Sequence, residues 1–376
     1  MLAQGFFKKV KMRQRVLVAM SGGVDSSLTA FLLKEQGYDV IGATMQLWGE
    51  TGHGNPAERL GPDHIEDARQ VANHLSIPFH IVNLEEEFER EVIEYFCREY
   101  GEGRTPNPCV LCNKTIKFGA LFKKAQGLGA NYLATGHYAR LACDEKDGRF
   151  LLRKGCDKKK DQSYFLFALS QGQFSQALFP LGEHHKEEVK KRALQLALRT
   201  HDRPESQEVC FIRESSYHPF LARRLRETLE PGPILDGNGK VLGRHQGLPF
   251  YTIGQRRGLR LAVGRPLYVT ALDRKNNAVI VGTEEEVFRD TFRVNSINWI
   301  VSRETASSFP VQVKIRYNHP GADAILTEIS PDALEVKFTT PQKAITPGQA
   351  AVFYDGETVL GGGWITEVVR RDECGV

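Results

Sequence analysis

This 376-residue sequence predicts an α/β N-terminal domain built on a parallel sheet, followed by two smaller, mainly β domains, the last of them a β-barrel. Three observations predict it. Helical and extended patterns alternate through about residue 140, as they do where crossover helices join parallel strands. The apolar run Val16-Leu17-Val18-Ala19-Met20 passes directly into the glycine turn Ser21-Gly22-Gly23 and then into a helical pattern. Beyond about residue 215, short alternating strands are separated by turns such as Gly232-Pro233, Asp236-Gly237-Asn238-Gly239 and Asn276-Asn277. The chain is too long for one compact core, and the changes of pattern place domains at 1–215, 216–285 and 286–376.

The first helix carries Leu28, Phe31 and Leu32 on one face, and Gly37 is placed to end it before a strand over 40–45. Ile65, Ala68, Val71, Ala72 and Leu75 recur at helical spacing, and a strand over 78–82 follows. A third helix carries Phe88, Val92, Tyr95 and Phe96. A fourth runs from about Asn113 to Gln126 and leads into the strand Tyr132-Leu133-Ala134-Thr135. Such sheets bind ligands beyond the carboxyl ends of their strands, where Ser21, Met45, Cys109 and Gly136 would gather. In the last domain, 311–317, 334–338 and 350–354 read as strands of a small antiparallel barrel.

The turn Ser21-Gly22-Gly23-Val24-Asp25-Ser26-Ser27 carries chemistry as well as geometry. Its glycines let the backbone approach a ligand closely. The first free N–H groups of the helix and its positive dipole end then face a site suited to pyrophosphate. Ser21, Ser26 and Ser27 add hydroxyls, and Asp25 is a candidate to hold Mg2+. No Gly-Lys-Ser/Thr closes the loop and no Gly-x-Gly-x-x-Gly runs through it, which sets it apart from the two commonest phosphate loops. The plain alternative is a Gly-Gly turn with a serine helix cap.

A net charge of +4 admits nucleic acid as a partner without requiring it. No apolar run approaches membrane-spanning length, and Lys8, Lys9, Lys11, Arg13 and Arg15 precede no apolar export segment. A cytoplasmic protein with no membrane partner is expected. Seven cysteines in such a chain argue against a disulfide framework and toward metal or redox chemistry. Cys109 and Cys112 lie in Thr105-Pro106-Asn107-Pro108-Cys109-Val110-Leu111-Cys112, a proline-stiffened loop just before the fourth helix. A thiol at a helix N-terminus, with Lys114 and Lys117 close by, has its thiolate favoured and is a candidate nucleophile. Cys210 stands far away in Glu205-Ser206-Gln207-Glu208-Val209-Cys210-Phe211-Ile212, while Cys97, Cys143, Cys156 and Cys374 read as packing or surface thiols.

The glycine loop resembles the PP-loop of the ATP pyrophosphatase superfamily, which implies a PP-loop, adenine nucleotide α-hydrolase-like N-terminal domain. Further strings extend the likeness: Met45-Gln46-Leu47-Trp48, Asn107-Pro108, Cys112-Asn113-Lys114, Ala134-Thr135-Gly136-His137-Tyr138, Lys160-Asp161-Gln162-Ser163-Tyr164-Phe165 and Cys210-Phe211-Ile212. With Pro249 through Gly258, Pro347-Gly348-Gln349 and Gly361-Gly362-Gly363-Trp364-Ile365, they resemble the tRNA-specific 2-thiouridylases over nearly the whole chain.

That resemblance implies replacement of the C2 oxygen of a wobble uridine by sulfur. ATP adenylates the oxygen, sulfur attacks C2 and AMP leaves. It implies ATP contacts at Ala19, Met20, Ser21, Gly22, Gly23, Val24, Asp25, Ser26, Met45 and Gly136, with Mg2+. Cys112 would be the nucleophile and Cys210 the persulfide carrier, the two closing into a disulfide. Asn107, Pro108 and Cys109 would meet the target base, extruded from its stack. His137, Lys160, Asp161, Gln162, Arg316, Tyr317 and Gln349 would contact the anticodon region of tRNA, with Arg256 and Arg257 extending the basic surface. A sulfur donor, either a relay protein or sulfide, is implied as a second partner.

Many family members carry Asp where this chain has Cys109, so a carboxylate role there does not transfer. The substitution also completes a three-thiolate set, Cys109, Cys112 and Cys210, suited to a [4Fe–4S] cluster with one open iron. Persulfide and cluster chemistry stand as alternatives. Two other functions compete: a different PP-loop ligase or amidotransferase, which would leave the three thiols idle, and an iron–sulfur RNA-binding protein whose nucleotide loop has decayed.

Overall fold

The computed structural model describes residues 14–47, 62–198, 209–212, 216–302 and 308–369. Trp48, Glu205 through Glu208, Cys374 and the basic residues Lys8 to Arg13 lie outside them. The chain divides into two compact units, Met1–Val92 with Cys109–Phe211 and Glu357–Leu360, and Ile93–Pro108 with Ile212–Gly356 and Gly361–Val376.

The first unit is built on β1 (Arg15–Ala19), α1 (Val24–Glu35), β2 (Asp39–Gln46), α2 (Pro62–His74) and β3 (Phe79–Asn83). Two longer helices follow, α3 over 85–101, which passes into the second unit at Ile93, and α4 over 108–127, which returns to the first at Cys109, then β4 (Tyr132–Ala134), the hairpin β5 (Ala139–Cys143) and β6 (Phe150–Lys154), α5 (Gln171–Phe174), β7 (Ala177–Leu178) and α6 (Lys186–Gln195). The sheet order is β3-β2-β1-β4-β7 and every pairing is parallel. Val16, Leu17 and Val18 are fully buried, which explains their unbroken apolar run: a central parallel strand is covered on both faces. The order reverses about β1, leaving the β1/β4 carboxyl ends as the place where ligands bind in such sheets. Leu28, Leu32 and Leu33 of α1 pack with Ala68, Val71 and Ala72 of α2 over this sheet.

One expectation fails in this unit. The fourth helix begins at Pro108 rather than near Asn113, so Cys109 lies in its first turn and Cys112 a turn further in, not in a preceding loop. Proline at the first helical position has its φ preset and lacks only an N–H that the helix start leaves unpaired. Pro108 therefore starts this helix instead of stiffening a loop. From Cys112–Leu121 the winding is π-helical, a wide geometry that is uncommon and concentrated at functional sites. Gln173 of α5 braces it by donating from Nε2 to the carbonyls of Lys114 (2.8 Å) and Phe118 (3.0 Å).

The second unit contains α7 (His218–Arg224) and a four-stranded sheet of β8 (Gly232–Leu235), β9 (Val241–His245), β10 (Tyr268–Asp273) and β11 (Ala278–Gly282), in the order β10-β11-β8-β9. Ile234, Leu248, Val269, Val279 and Val281 fill its core. Strands β12 (Phe288–Trp299), β13 (Ser308–Lys314), β14 (Ala322–Ser330), β15 (Ala333–Lys343), β16 (Ala350–Asp355) and β17 (Thr358–Val368) form an antiparallel barrel that closes where β12 pairs β17. Phe292, Val294, Val336 and Phe353 are buried in it. β13 stops at Lys314, which leaves Arg316 and Tyr317 in the turn before β14 rather than on a strand. That turn is set by the His319 N–H to Arg316 carbonyl bond and by Gly321 at φ +94°.

Candidate active site

At the carboxyl end of β1 the chain turns through Gly22, whose φ of +72° suits glycine. A Cβ there would also lie 2.7 Å from the His64 carbonyl oxygen. Gly23 caps α1 with extended backbone and no side-chain bond to its first turn. The serines are ordered about this cap: Ser26 Oγ and Ser27 Oγ donate to the Gly23 carbonyl (3.0 and 2.9 Å), and the Ser21 N–H donates to Ser26 Oγ (3.2 Å). Met20 is tied to β2 by its N–H to Ala43 O (2.7 Å) and by Thr44 Oγ1 donating to its carbonyl (2.8 Å). Ala19 ends β1, Val24 opens α1, and Met45 lies half-buried near the end of β2. The result is a helix N-terminus with free amides and a collar of hydroxyls, which fits a polyphosphate.

Asp25 is already engaged. Lys186 Nζ lies 2.7 and 2.6 Å from its two carboxylate oxygens, and Tyr138 Oη donates to it at 2.8 Å. Among the described residues no group of three or more His, Cys, Asp or Glu is arranged to hold a metal ion. The arrangement pairs Asp25, the residue expected to hold Mg2+, with a cation of the chain itself, Lys186, beside the phosphate loop. Sequence reasoning missed this residue because Lys186-Glu187-Glu188, followed by Lys190-Lys191-Arg192, reads as a solvated helix face. The lysine is nonetheless only 6 % exposed.

Gly136 follows β4 and meets the first turn of α1 so closely that a Cβ on it would lie 2.9 Å from Asp25 Cβ and 3.0 Å from Ser26 N. The next residue leads to the thiols. His137 is buried, bonded through Nδ1 to Thr135 Oγ1 (2.7 Å), and held well below the ordinary histidine pKa by burial and then by the charge of Lys117. Lys117 also acts on Cys109, Cys112 and Cys210. Phe211, buried against Phe88 of α3 with ring centroids 5.9 Å apart, pins the Cys210 segment. His137 and the thiols of Cys109, Cys112 and Cys210, distant in sequence, thus all lie in the field of Lys117.

The thiols are not pre-ionised, contrary to the expectation from helix position. Burial raises Cys112 to about 11 against the opposing pull of Lys117, and burial also raises Cys109. Cys210 keeps part of its surface open to solvent, yet the protein packed around its sulfur, then Cys112 and Cys109, raise it to about 12. Desolvation outweighs one half-buried lysine. Among the described residues Cys109, Cys112 and Cys210 are not arranged as a metal-ligand set, so the [4Fe–4S] expectation does not fit this arrangement.

Comparison with known proteins follows from this geometry. A family model described as tRNA methyl transferase HUP domain matches residues 14–214, one described as tRNA methyl transferase PRC-barrel domain matches 218–283, and one described as aminomethyltransferase beta-barrel domain matches 289–365. The tRNA-specific 2-thiouridylase MnmA of Carboxydothermus hydrogenoformans is 49 % identical over 361 residues, covering 94 % of this chain and 98 % of that one. The chain belongs to the tRNA-specific 2-thiouridylase family. The protein of the same name from Moorella thermoacetica is also 49 % identical, over 94 % of this chain and all of that one. A 4-thiouridine synthetase crystallised with RNA and ATP superimposes with a TM-score of 0.33 at 14 % identity, covering 57 % of this chain and 50 % of that one.

The 2-thiouridylase residues expected to touch tRNA have internal partners here. Asp161 is buried and accepts from the N–H groups of Gly155 (3.1 Å) and Ser163 (3.0 Å). Gln162 exchanges bonds with the Tyr138 backbone, its Oε1 accepting at 3.1 Å and its N–H donating at 2.9 Å. The Lys160-Asp161-Gln162 segment is thereby latched to the tyrosine that holds Asp25. Lys158 and Lys159 beside it are exposed. Arg316 Nη1 donates to the Lys343 carbonyl at 3.0 Å, and Tyr317 is half-buried in the same turn. Asn107 and Pro108 are buried at the start of α4.

Proposed function

We propose that this protein is a tRNA-uridine 2-sulfurtransferase. It adenylates the C2 oxygen of the wobble uridine, position 34, with ATP and then replaces that oxygen by sulfur to give 2-thiouridine. The observation that carries this is that Gly136 abuts the phosphate loop while its neighbour His137 and the thiols of Cys109, Cys112 and Cys210 share the field of Lys117. A different PP-loop ligase would leave those thiols unused. Residues 1–215 would supply the chemistry, with 216–285 as a small central β-rich domain and 286–376 as the tRNA-contacting barrel.

The free amides of α1 and the collar of Ser21, Ser26 and Ser27 receive the triphosphate, and Lys186 lies next to the charge that develops when the α–β bond breaks. Mg2+ would arrive with the nucleotide rather than on a dedicated carboxylate. The uridine oxygen attacks the α-phosphate and pyrophosphate leaves. Cys210, carrying a persulfide from a relay protein or from sulfide and an oxidant, attacks C2 with its terminal sulfur, and AMP leaves. Cys112 then attacks Cys210 Sγ, freeing the thiocarbonyl and forming a Cys112–Cys210 disulfide, which an external dithiol reduces with two electrons. The cycle balances and suits the reducing cytoplasm.

Purified protein given ATP, unmodified tRNA and a persulfide donor should yield AMP, pyrophosphate and 2-thiouridine in equal amounts. Cys210→Ser should stop thiolation while pyrophosphate release continues. AMP formation dependent on a small amino acid instead of tRNA, or full thiolation by Cys210→Ser, would overturn the proposal.

A further inference from the structure

The sequence assigns Gln349 to reading tRNA, yet both N–H groups of its carboxamide are already used. Nε2 donates to the carbonyl of Thr105 at 2.9 Å and to that of Pro106 at 3.1 Å. The bond is part of a larger clasp. The Thr105 N–H donates to the Pro347 carbonyl (2.9 Å), and Thr105 Oγ1 bonds Thr252 Oγ1 (3.2 Å). Gly348, at φ +90°, brings its backbone so near that a Cβ would lie 2.9 Å from both Thr105 N and Thr105 O, and 3.0 Å from Arg104 Cβ. Arg104 is fixed in turn by a two-pronged bond to Glu99 (2.6 and 2.9 Å), a carboxylate only 9 % exposed. The clasped residues run without interruption through Asn107 into Pro108, the first residue of the helix that carries Cys109 and Cys112.

We propose that Gln349 is a positioning residue: from the barrel segment Pro347-Gly348-Gln349 it holds the Thr105 and Pro106 carbonyls and so fixes Asn107, Pro108 and the start of the cysteine helix. A side chain with two donors is what two successive carbonyls require. Its Oε1 stays available as an acceptor, so a tRNA that bonds there does so to a group already aimed at the base-binding stretch. The consequence for the base rests on the thiolation proposed above, whereas the clasp itself does not.

Hydrogen exchange of the tRNA-free protein tests the clasp directly. Gln349→Glu removes both donors at nearly constant shape, and Gln349→Lys keeps donors on a side chain of similar reach. Losing the two bonds should speed exchange of the Thr105 and Asn107 amides by about tenfold in Gln349→Glu, with β1 and β16 amides unchanged. Gln349→Lys should stay close to the parent, and Gly348→Ala, which wedges the same contact from its other side, should reproduce the acceleration. In single-turnover thiolation, the glutamate variant should lose rate at saturating tRNA by a similar factor while its KM for tRNA moves less than about twofold. Unchanged Thr105 exchange in both Gln349→Glu and Gly348→Ala, with a raised KM for tRNA, would reduce Gln349 to a tRNA contact and overturn the proposal. If no thiolation occurs in the parent protein either, the sulfurtransferase assignment fails, and the exchange result still decides the clasp.

Discussion

Removing either partner of the Asp25–Lys186 pair should have unequal effects. Lys186 makes two bonds of 2.7 and 2.6 Å to the carboxylate, and its side chain is 7 % exposed against 32 % for Asp25. Asp25→Asn takes the carboxylate away from a buried ammonium that also faces the Tyr138 ring, 5.7 Å from Nζ. Breaking a buried pair from this side costs about 3–5 kcal/mol. Lys186→Met strands a carboxylate that keeps the Tyr138 hydroxyl bond and a third of its surface in water. Solvent screening lowers that loss to about 1–2 kcal/mol. The double variant removes both charges and should recover about 2 kcal/mol relative to the sum of the single ones. A chain of two units is unsafe to treat as one two-state transition. Urea unfolding should therefore be followed through the exchange of β1 and α1 amides, which report the first unit alone. If Lys186→Met is the costlier change, or if the double variant is additive, burial is not what makes this pair matter and the asymmetry argued from exposure is wrong.

Gly136→Ala drives a methyl group against Asp25 Cβ and the backbone of Asp25 and Ser26, none of which is a flexible chain end. Overpacking of this kind costs about 1–3 kcal/mol, so tRNA-dependent pyrophosphate release should fall about tenfold or more, and unchanged release would refute the close approach. On the alkaline side, the folded thiol of Cys112 titrates near 11 against 9.0 for an ordinary one, so the unfolded chain loses its proton first. Stability is then fully present below pH 9 and declines toward pH 11, by about 3 kcal/mol from this group, and Cys112→Ala should flatten that limb of a stability-versus-pH curve. On the acid side the sign reverses in cause. His137 is neutral in the fold and lowered from 6.5, the unfolded chain binds the extra proton, and stability falls as pH drops through 6.5, a slope that His137→Gln should reduce.

Strand β1, the glycine turn and α1 were legible because local sequence and tertiary role agree there: an unbroken apolar strand, two glycines and the helix-spaced Leu28 and Leu32 each match the geometry they receive. The barrel was legible for a similar reason, since alternation along β13 and β15 matches one buried and one wet face, while the unbroken apolar run of β16 is buried from Ala350 to Tyr354. Pro108 was misread because proline fits both a stiff loop and a helix start, and the choice depends on what covers Asn107 and Val110, which local pattern does not report. The acidity of the thiols was misread for a different reason. Charge spacing around Cys112 is visible in sequence, but burial is a property of the whole fold, and here it outweighs the charge. Lys186 escaped notice since a charged run looks the same whether one of its lysines turns inward or not. Asp161 and Gln162 carry the converse lesson: they stood out as RNA contacts, yet their side chains are spent on holding the segment to Gly155, Ser163 and Tyr138.

Raised thiol pKa values also constrain how the two halves of the site share the chemistry. At neutral pH a Cys112 with pKa about 11 is ionised in only about one molecule in ten thousand. Its thiolate is more nucleophilic in compensation, but with a Brønsted slope of about 0.4–0.5 that regains roughly two powers of ten of the four lost. The resting thiol is therefore about a hundredfold slower than one poised near pH 7, and correspondingly protected from adventitious oxidation. Lys117 is too weak a counterweight to arm it, and an approaching polyanion such as tRNA pushes the thiol pKa further up, not down. In the cycle proposed above Cys112 meets Cys210 Sγ and not the activated C2, so its slow attack limits the closing of the disulfide rather than the displacement of AMP.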